Sequence, residues 1–141
     1  MIRKLFLMLI FSMIFSTFAY AADNINFDNY LTAFDNAERR DMKIGIPEML
    51  ELHKNGLAQI VDVRTEQEHR DYSYGFMKHI PLNELPKRIN ELDMSKNIIF
   101  VCQFSERAVI ARMFLKLKGY KAKYLTSGIS GIKQYFRENK F

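Results

Sequence analysis

The sequence predicts an α/β fold built on a largely parallel sheet, and three observations lead to it. First, the runs at 59–63 and 98–101 are short, too brief for helices and rich in β-branched or aromatic residues, and 121–125 reads as a further strand. Second, stretches of helical periodicity separate them, an alternation that implies crossovers between parallel strands. Third, turn and capping signals punctuate the boundaries: Gly56, the Thr65-Glu66-Gln67-Glu68 box, Gly119 and Ser127-Gly128. With 48% hydrophobic and 26% charged residues, a chain of 141 residues can bury one core, which excludes wholesale disorder.

The N-terminus has a different character. Arg3 and Lys4 precede an apolar stretch at 5–15 broken only by Ser12, and Ala19-Tyr20-Ala21 fits a small-x-small cleavage pattern. This predicts a signal peptide over 1–21, cut after Ala21 or Ala22, and a periplasmic or secreted protein. The apolar core falls short of the ~20 residues usual for a membrane span. Membrane attachment is therefore expected only if the leader stays uncut.

An N-terminal helical extension is expected at 22–43. Phe27, Tyr30, Leu31 and Phe34 mark one face, Asn26 or Asp28 can cap it, and 37–41 is a charged end. The main domain, 44–141, opens with a short edge strand at 44–46. Pro47 suits the first turn of a helix running to Lys54, which Gly56 closes. A buried strand at 59–63 follows, and the capping box starts a short helix directly after Arg64. Residues 72–75 break that helix, and 79–81 form a brief strand. Leu85, Ile89 and Leu92 mark the next helix. The apolar run at 98–101 is the central strand. Val109, Ile110, Met113, Phe114 and Leu117 form the apolar stripe of the helix after it, ended by Gly119. A strand at 121–125, a turn at Ser127-Gly128 and a helix at 129–139 complete the chain.

Cys102, the single cysteine, ends the central strand, and Arg107 follows after four intervening residues, where the helical pattern opens. Open α/β sheets place ligands at the carboxyl ends of their strands. A helix N-terminus offers unpaired N–H groups, and its dipole stabilises an anionic sulfur by at most ~2 kcal/mol. Arg107 adds to this and Glu106 opposes it. In an exported chain a lone cysteine has no internal disulfide partner, which leaves a reactive thiol or intermolecular pairing. The alternative is a small buried core residue.

Net charge is +5, and removing the leader leaves 19 basic against 16 acidic residues, or +3, too mild to argue for nucleic acid. His53, His69 and His79 lack metal-ligand spacing and read as surface or pocket-rim residues, and one cysteine does not complete a zinc site. Arg112, Lys116, Lys118, Lys121 and Lys123 read as a solvated basic face.

The order Asp62-Val63-Arg64 leading to Glu68, Gly75, Ile80-Pro81-Leu82, Cys102-x4-Arg107, Gly119-Tyr120 and Leu125-x2-Gly128-Ile129 resembles a single-domain rhodanese sulfurtransferase over residues 44–132. The resemblance implies a central, mostly parallel sheet flanked by helices on both faces. It implies that Cys102 is the nucleophile and carries a persulfide, and that Arg107 closes the loop and supplies positive charge. Gln103, Phe104, Ser105 and Glu106 would then hold the persulfide or substrate, Arg64 would meet an anionic donor, and Asp62 would be structural support. The implied partners are a small sulfur donor (thiosulfate-like, a persulfide or a polysulfide) and a thiol or cyanide acceptor, with a protein acceptor as a further expectation. No cofactor or metal is implied. Related phosphate- and arsenate-handling domains use Cys-x5-Arg; the loop here is one residue shorter and tight for a tetrahedral oxyanion. A thiol–disulfide oxidoreductase would need a second cysteine. A non-enzymatic sulfur carrier or a rhodanese-fold binding module is the other reading, since fold does not fix function.

Overall fold

The structure, a computed structural model, describes residues 26–139. The predicted leader at 1–21 lies outside the described residues. Among those described, no helix is long and apolar enough to cross a membrane.

Strand β4 (Asn97–Val101) lies at the centre of the sheet. Its Ile98, Ile99, Phe100 and Val101 are all 1% exposed or less, because helices cover both faces and alternate side chains enter two separate cores. Ile98, Phe100 and Cys102 meet Ala108, Ala111 and Leu115 of α6 (Glu106–Leu117) on one face. On the other, Ile99 and Val101 meet Met49 of α3 (Ile46–Lys54) and Ile129 and Ile132 of α7 (Gly128–Glu138). Each Ile, Val, Leu, Phe or Met side chain among them contributes roughly 1.5–3 kcal/mol when fully buried.

The five-stranded sheet has the order β1 (Lys43–Ile44), β5 (Ala122–Leu125), β4, β2 (Ala58–Asp62), β3 (Lys78–His79). Strand β2 flanks β4 on one side and β5 on the other. The two-residue strands β1 and β3 form the edges. Every pairing is parallel, as the alternation of strands and helices predicts. Pro47 stands in the first turn of α3, and Gly56 takes φ 71° in the turn after it. The Thr65–Glu68 capping box is formed at the start of α4 (Glu66–Asp71). The stretch marked by Leu85, Ile89 and Leu92 is α5 (Leu85–Arg88) followed by one tighter turn, Ile89–Glu91.

Two expectations are corrected. The extension is not one helix with a buried apolar face but two short helices, α1 (Phe27–Thr32) and α2 (Asn36–Asp41). Asp35 interrupts them, because its carboxylate accepts the Glu38 N–H and so starts a new helix. Only Tyr30 of the expected face is buried; Phe27, Leu31 and Phe34 are exposed. The second correction concerns α6. Its buried residues are Ala108, Ala111, Arg112 and Leu115, while Ile110 faces solvent.

Arg112 explains both. Its Nε donates to the Ala122 carbonyl at 3.2 Å, its Nη1 to the Tyr30 hydroxyl at 2.9 Å, and its Nη2 to the Glu38 carboxylate. Lys116 Nζ meets Glu38 at 3.0 Å, and Lys123 Nζ meets Asp41 at 2.8 Å. The basic residues read as a solvated face are thus partly the seat of the acidic extension. Burial alone would raise the Glu38 pKa, but hydrogen bonds from Arg112 and Lys116 outweigh it and hold the carboxyl below its ordinary value.

Candidate active site

Cys102 leaves the carboxyl end of β4, and the loop after it turns into α6. The start of α7 shapes this loop from beneath. Ile129 N–H donates to the Cys102 carbonyl at 2.9 Å and Ser130 N–H to the Gln103 carbonyl at 3.2 Å. The Gln103 side-chain amide donates to Ser130 Oγ at 2.8 Å. Gly128 makes the approach possible: φ is +56°, and a Cβ there would stand 2.2 Å from the Phe104 carbonyl oxygen, 2.5 Å from that of Cys102 and 2.6 Å from that of Gln103. A trans peptide points its carbonyl and its N–H in opposite directions. With these three carbonyls turned onto α7, the N–H groups of Gln103, Phe104 and Ser105 face the other side of the loop. Such a row of N–H groups suits an anion.

Arg107, in the first turn of α6, is clamped by Glu68. Its Nη1 donates to Oε2 at 2.6 Å and its Nη2 to Oε1 at 2.7 Å. The same carboxylate caps α4, accepting the Thr65 N–H at 3.0 Å and the Thr65 hydroxyl at 2.8 Å. One local capping motif therefore also positions the arginine that follows the Cys102 loop. Glu68 contacts Arg107 across 39 positions of sequence. The Arg107 hydrogen bonds, against some burial, lower the Glu68 pKa to about 2. Arg107 is held above its ordinary value chiefly by Glu68, with the Cys102 sulfur acting in the same direction.

This pairing has a testable pH signature. A carboxylate whose pKa is lowered on folding stabilises the fold above its unfolded pKa, here 4.5, and loses that contribution as pH falls towards about 2. Wild-type thermal midpoints should therefore fall more steeply than those of Glu68→Gln between about pH 4.5 and pH 2. Parallel curves from the two proteins would contradict the clamp.

Behind Glu68 lies a buried layer. Asp62 is 0% and Arg64 2% exposed. The Arg64 backbone N–H and Nε each reach Asp62 Oδ1 at 3.0 Å, and Nη2 reaches Oδ2 at 2.7 Å. Nη1 and Nη2 also donate to the carbonyls of Glu68 and Tyr72. Arg64 faces inward with its donors engaged, which corrects the expectation that it meets an anionic donor: it ties β2 to α4. Burial would raise the Asp62 pKa, but hydrogen bonds from Arg64 and His69 hold it below the ordinary value.

His69 and His79, read as surface or rim residues, are partly buried and pack on this layer. His69 Nδ1 lies 3.0 Å from Asp62 Oδ2, and His79 Nε2 lies 2.9 Å from the Arg64 carbonyl. Their rings stack at 4.0 Å and 6°. The available signal was the strand expected around His79, whose register puts it beside Asp62. Among the described residues, no group of three or more His, Cys, Asp or Glu is placed to hold a metal ion.

Two loop side chains face outward. Phe104 is 57% exposed. Glu106 is exposed, and its carboxylate accepts the Ser105 N–H at 3.3 Å. The N–H groups of Glu106 itself and of Ser105 hold its pKa below the ordinary value. Next to Arg107 opens a cleft of about 390 Å³ lined by Val63, Thr65, Pro81, Leu82, Asn83 and Arg107.

Residues 46–135 match the family described as the rhodanese-like domain. A protein of Bacillus subtilis strain 168 provisionally named a sulfur carrier protein, YrkF, is 36% identical over 62 residues, covering 44% of this chain and 34% of that protein. The tRNA sulfurtransferase of Mannheimia succiniciproducens is 25% identical over 111 residues, covering 69% of this chain and 22% of that enzyme. The chain thus spans well under half the length of either curated relative. Among solved structures, reduced Bacillus anthracis CoADR-RHD is 29% identical with a TM-score of 0.63, over 68% of this chain and 17% of that one. The family match extends over more than half of the chain and contains the cysteine loop, its α7 support and the Glu68 clamp: the chain belongs to the rhodanese-like domain family.

Proposed function

We propose that the protein is an exported sulfurtransferase that moves a sulfane sulfur through a persulfide on Cys102. The observation that carries the reading is the loop itself. It sets the sulfur-bearing residue at the end of β4, directs a row of N–H groups to one side and holds Arg107 in place through Glu68. The family and the relatives named for sulfur handling support it.

In the first half-reaction the Cys102 thiolate attacks the outer sulfur of a donor, whether thiosulfate-like, a persulfide or a polysulfide. A new S–S bond forms, the donor's S–S bond breaks, and its electron pair leaves on the remaining fragment, sulfite in the case of thiosulfate. The outer sulfur of Cys102 then carries negative charge, which the N–H groups of Gln103, Phe104 and Ser105 can hold with Arg107 nearby. In the second half-reaction a thiolate or cyanide takes the outer sulfur and restores the Cys102 thiolate. Export rests on the leader at 1–21, whose removal gives a periplasmic or secreted protein.

A second reading, a sulfur carrier that loads but does not turn over small molecules, is favoured by the name of YrkF. Thiocyanate production from a sulfane-sulfur donor and cyanide separates the two. Many turnovers per protein molecule are expected for the enzyme. A single stoichiometric release would establish a carrier, and no release would exclude sulfur transfer to cyanide.

A further inference from the structure

Both guanidinium groups near the Cys102 loop are already paired within the protein, and this bears on the donor. Arg107 is held by both oxygens of Glu68, and Arg64 by both oxygens of Asp62. The third carboxylate, Glu106, stands exposed on the loop and accepts the Ser105 N–H, one of the groups turned away from α7. Three carboxylates therefore face two guanidinium groups, and one loop N–H that would receive an incoming anion already has one. Cys102 has no exposed surface, so a donor reaches the sulfur only as the groups over it give way. Beside Arg107, the walls of the 390 Å³ cleft include Val63, Pro81 and Leu82, and Phe104 on the loop is more than half exposed.

We infer that the donor is an organic sulfane-sulfur compound of at most one negative charge, a persulfide or a thiosulfonate, whose apolar body lies in the cleft beside Arg107 while Glu106 selects against dianions such as thiosulfate. This rests on the sulfurtransferase reading above and names its donor class. With a persulfide RS–SH, the Cys102 thiolate bonds to the outer sulfur, the RS–S bond breaks, and RS⁻ leaves with the electron pair. Cys102 is left as the persulfide and no outside oxidant or reductant is needed.

The test measures kcat/KM for three donors with cyanide as the common acceptor: thiosulfate, methanethiosulfonate and benzenethiosulfonate. The last two are monoanions with the same reacting group, and only the last carries a ring. Wild type, Glu106→Gln and Glu106→Lys are compared at low and high salt. Glu106→Gln should raise the value for thiosulfate roughly tenfold relative to that for benzenethiosulfonate at low salt, with a smaller gain at high salt. Glu106→Lys should extend the same trend. Wild type should prefer benzenethiosulfonate to methanethiosulfonate by about tenfold, through burial of the ring. A thiosulfate ratio that neither substitution moves would overturn selection by Glu106, and equal values for the two thiosulfonates would overturn the cleft as the seat. If none of the donors leaves a sulfur on Cys102 in any of the three proteins, the sulfurtransferase reading fails and this inference falls with it.

Discussion

Cys102→Ala is expected to bring sulfur transfer down to the uncatalysed background, a loss of at least about 10⁴-fold, because no other residue can replace the nucleophile. The fold should survive. Cys102 is buried among Ile98, Phe100, Ala108 and Ala111, and removing one sulfur atom from such a core should cost on the order of 1 kcal/mol. The loop is held by backbone contacts to α7 and by the Glu68–Arg107 pair, none of which involves the Cys102 side chain. Circular dichroism and denaturant unfolding check the fold, and thiocyanate formation checks the activity. A folded Cys102→Ala protein that keeps even a tenth of wild-type turnover would remove the cysteine from the mechanism.

Gly128→Ala should be the most damaging single-carbon change in the domain. Its φ of +56° is unfavourable for any residue with a Cβ, by roughly 1–2 kcal/mol. The added carbon would also fall within 2.6 Å of three loop carbonyls, against atoms of backbone that have no rotamer to change. Together these predict a stability loss of about 3 kcal/mol or more by denaturant unfolding. Activity should fall further than stability, because relief of the clash lifts the Cys102–Phe104 segment off α7 and turns its N–H groups out of line. A Gly128→Ala variant within about 1 kcal/mol of wild type and fully active would mean that the loop does not rest on α7 as described.

Sequence made the parallel sheet and the placement of Cys102 legible, because both depend on signals a few residues long. The run at 98–101 is apolar without alternation, as a strand covered on both faces must be. The Thr65–Glu68 box fixes the start of α4 through its own hydrogen bonds. What sequence did not reveal depends on partners far away in the chain. The buried face of α6 was misread because Arg112 points inward, and the carboxylate that permits this, Glu38, is 74 positions distant. Its neighbours Ala108 and Ala111 carry too little apolar surface to announce themselves as core, whereas Ile110 announces a burial it does not have.

The same holds at the site. Arg64 stands near the strand end where a substrate cation would be sought, but Asp62, two residues before it, draws the guanidinium inward. Glu68 reads as a capping residue and as part of the motif order, but its bond to Arg107 is not legible in the sequence, since it needs the register of β2 against β4. His69 and His79 meet only because β3 sets His79 beside Asp62.

The central claim is that Cys102 accepts and holds a sulfane sulfur. The most direct measurement is intact mass of the protein after brief incubation with benzenethiosulfonate and removal of excess donor, alongside a Cys102→Ser control. The predicted result is a gain of one sulfur atom on wild type alone, lost on adding cyanide with release of an equal amount of thiocyanate. Unchanged mass, with the Cys102 thiol still recovered by alkylation after denaturation, would contradict the claim and leave a rhodanese-like fold that serves as a binding module.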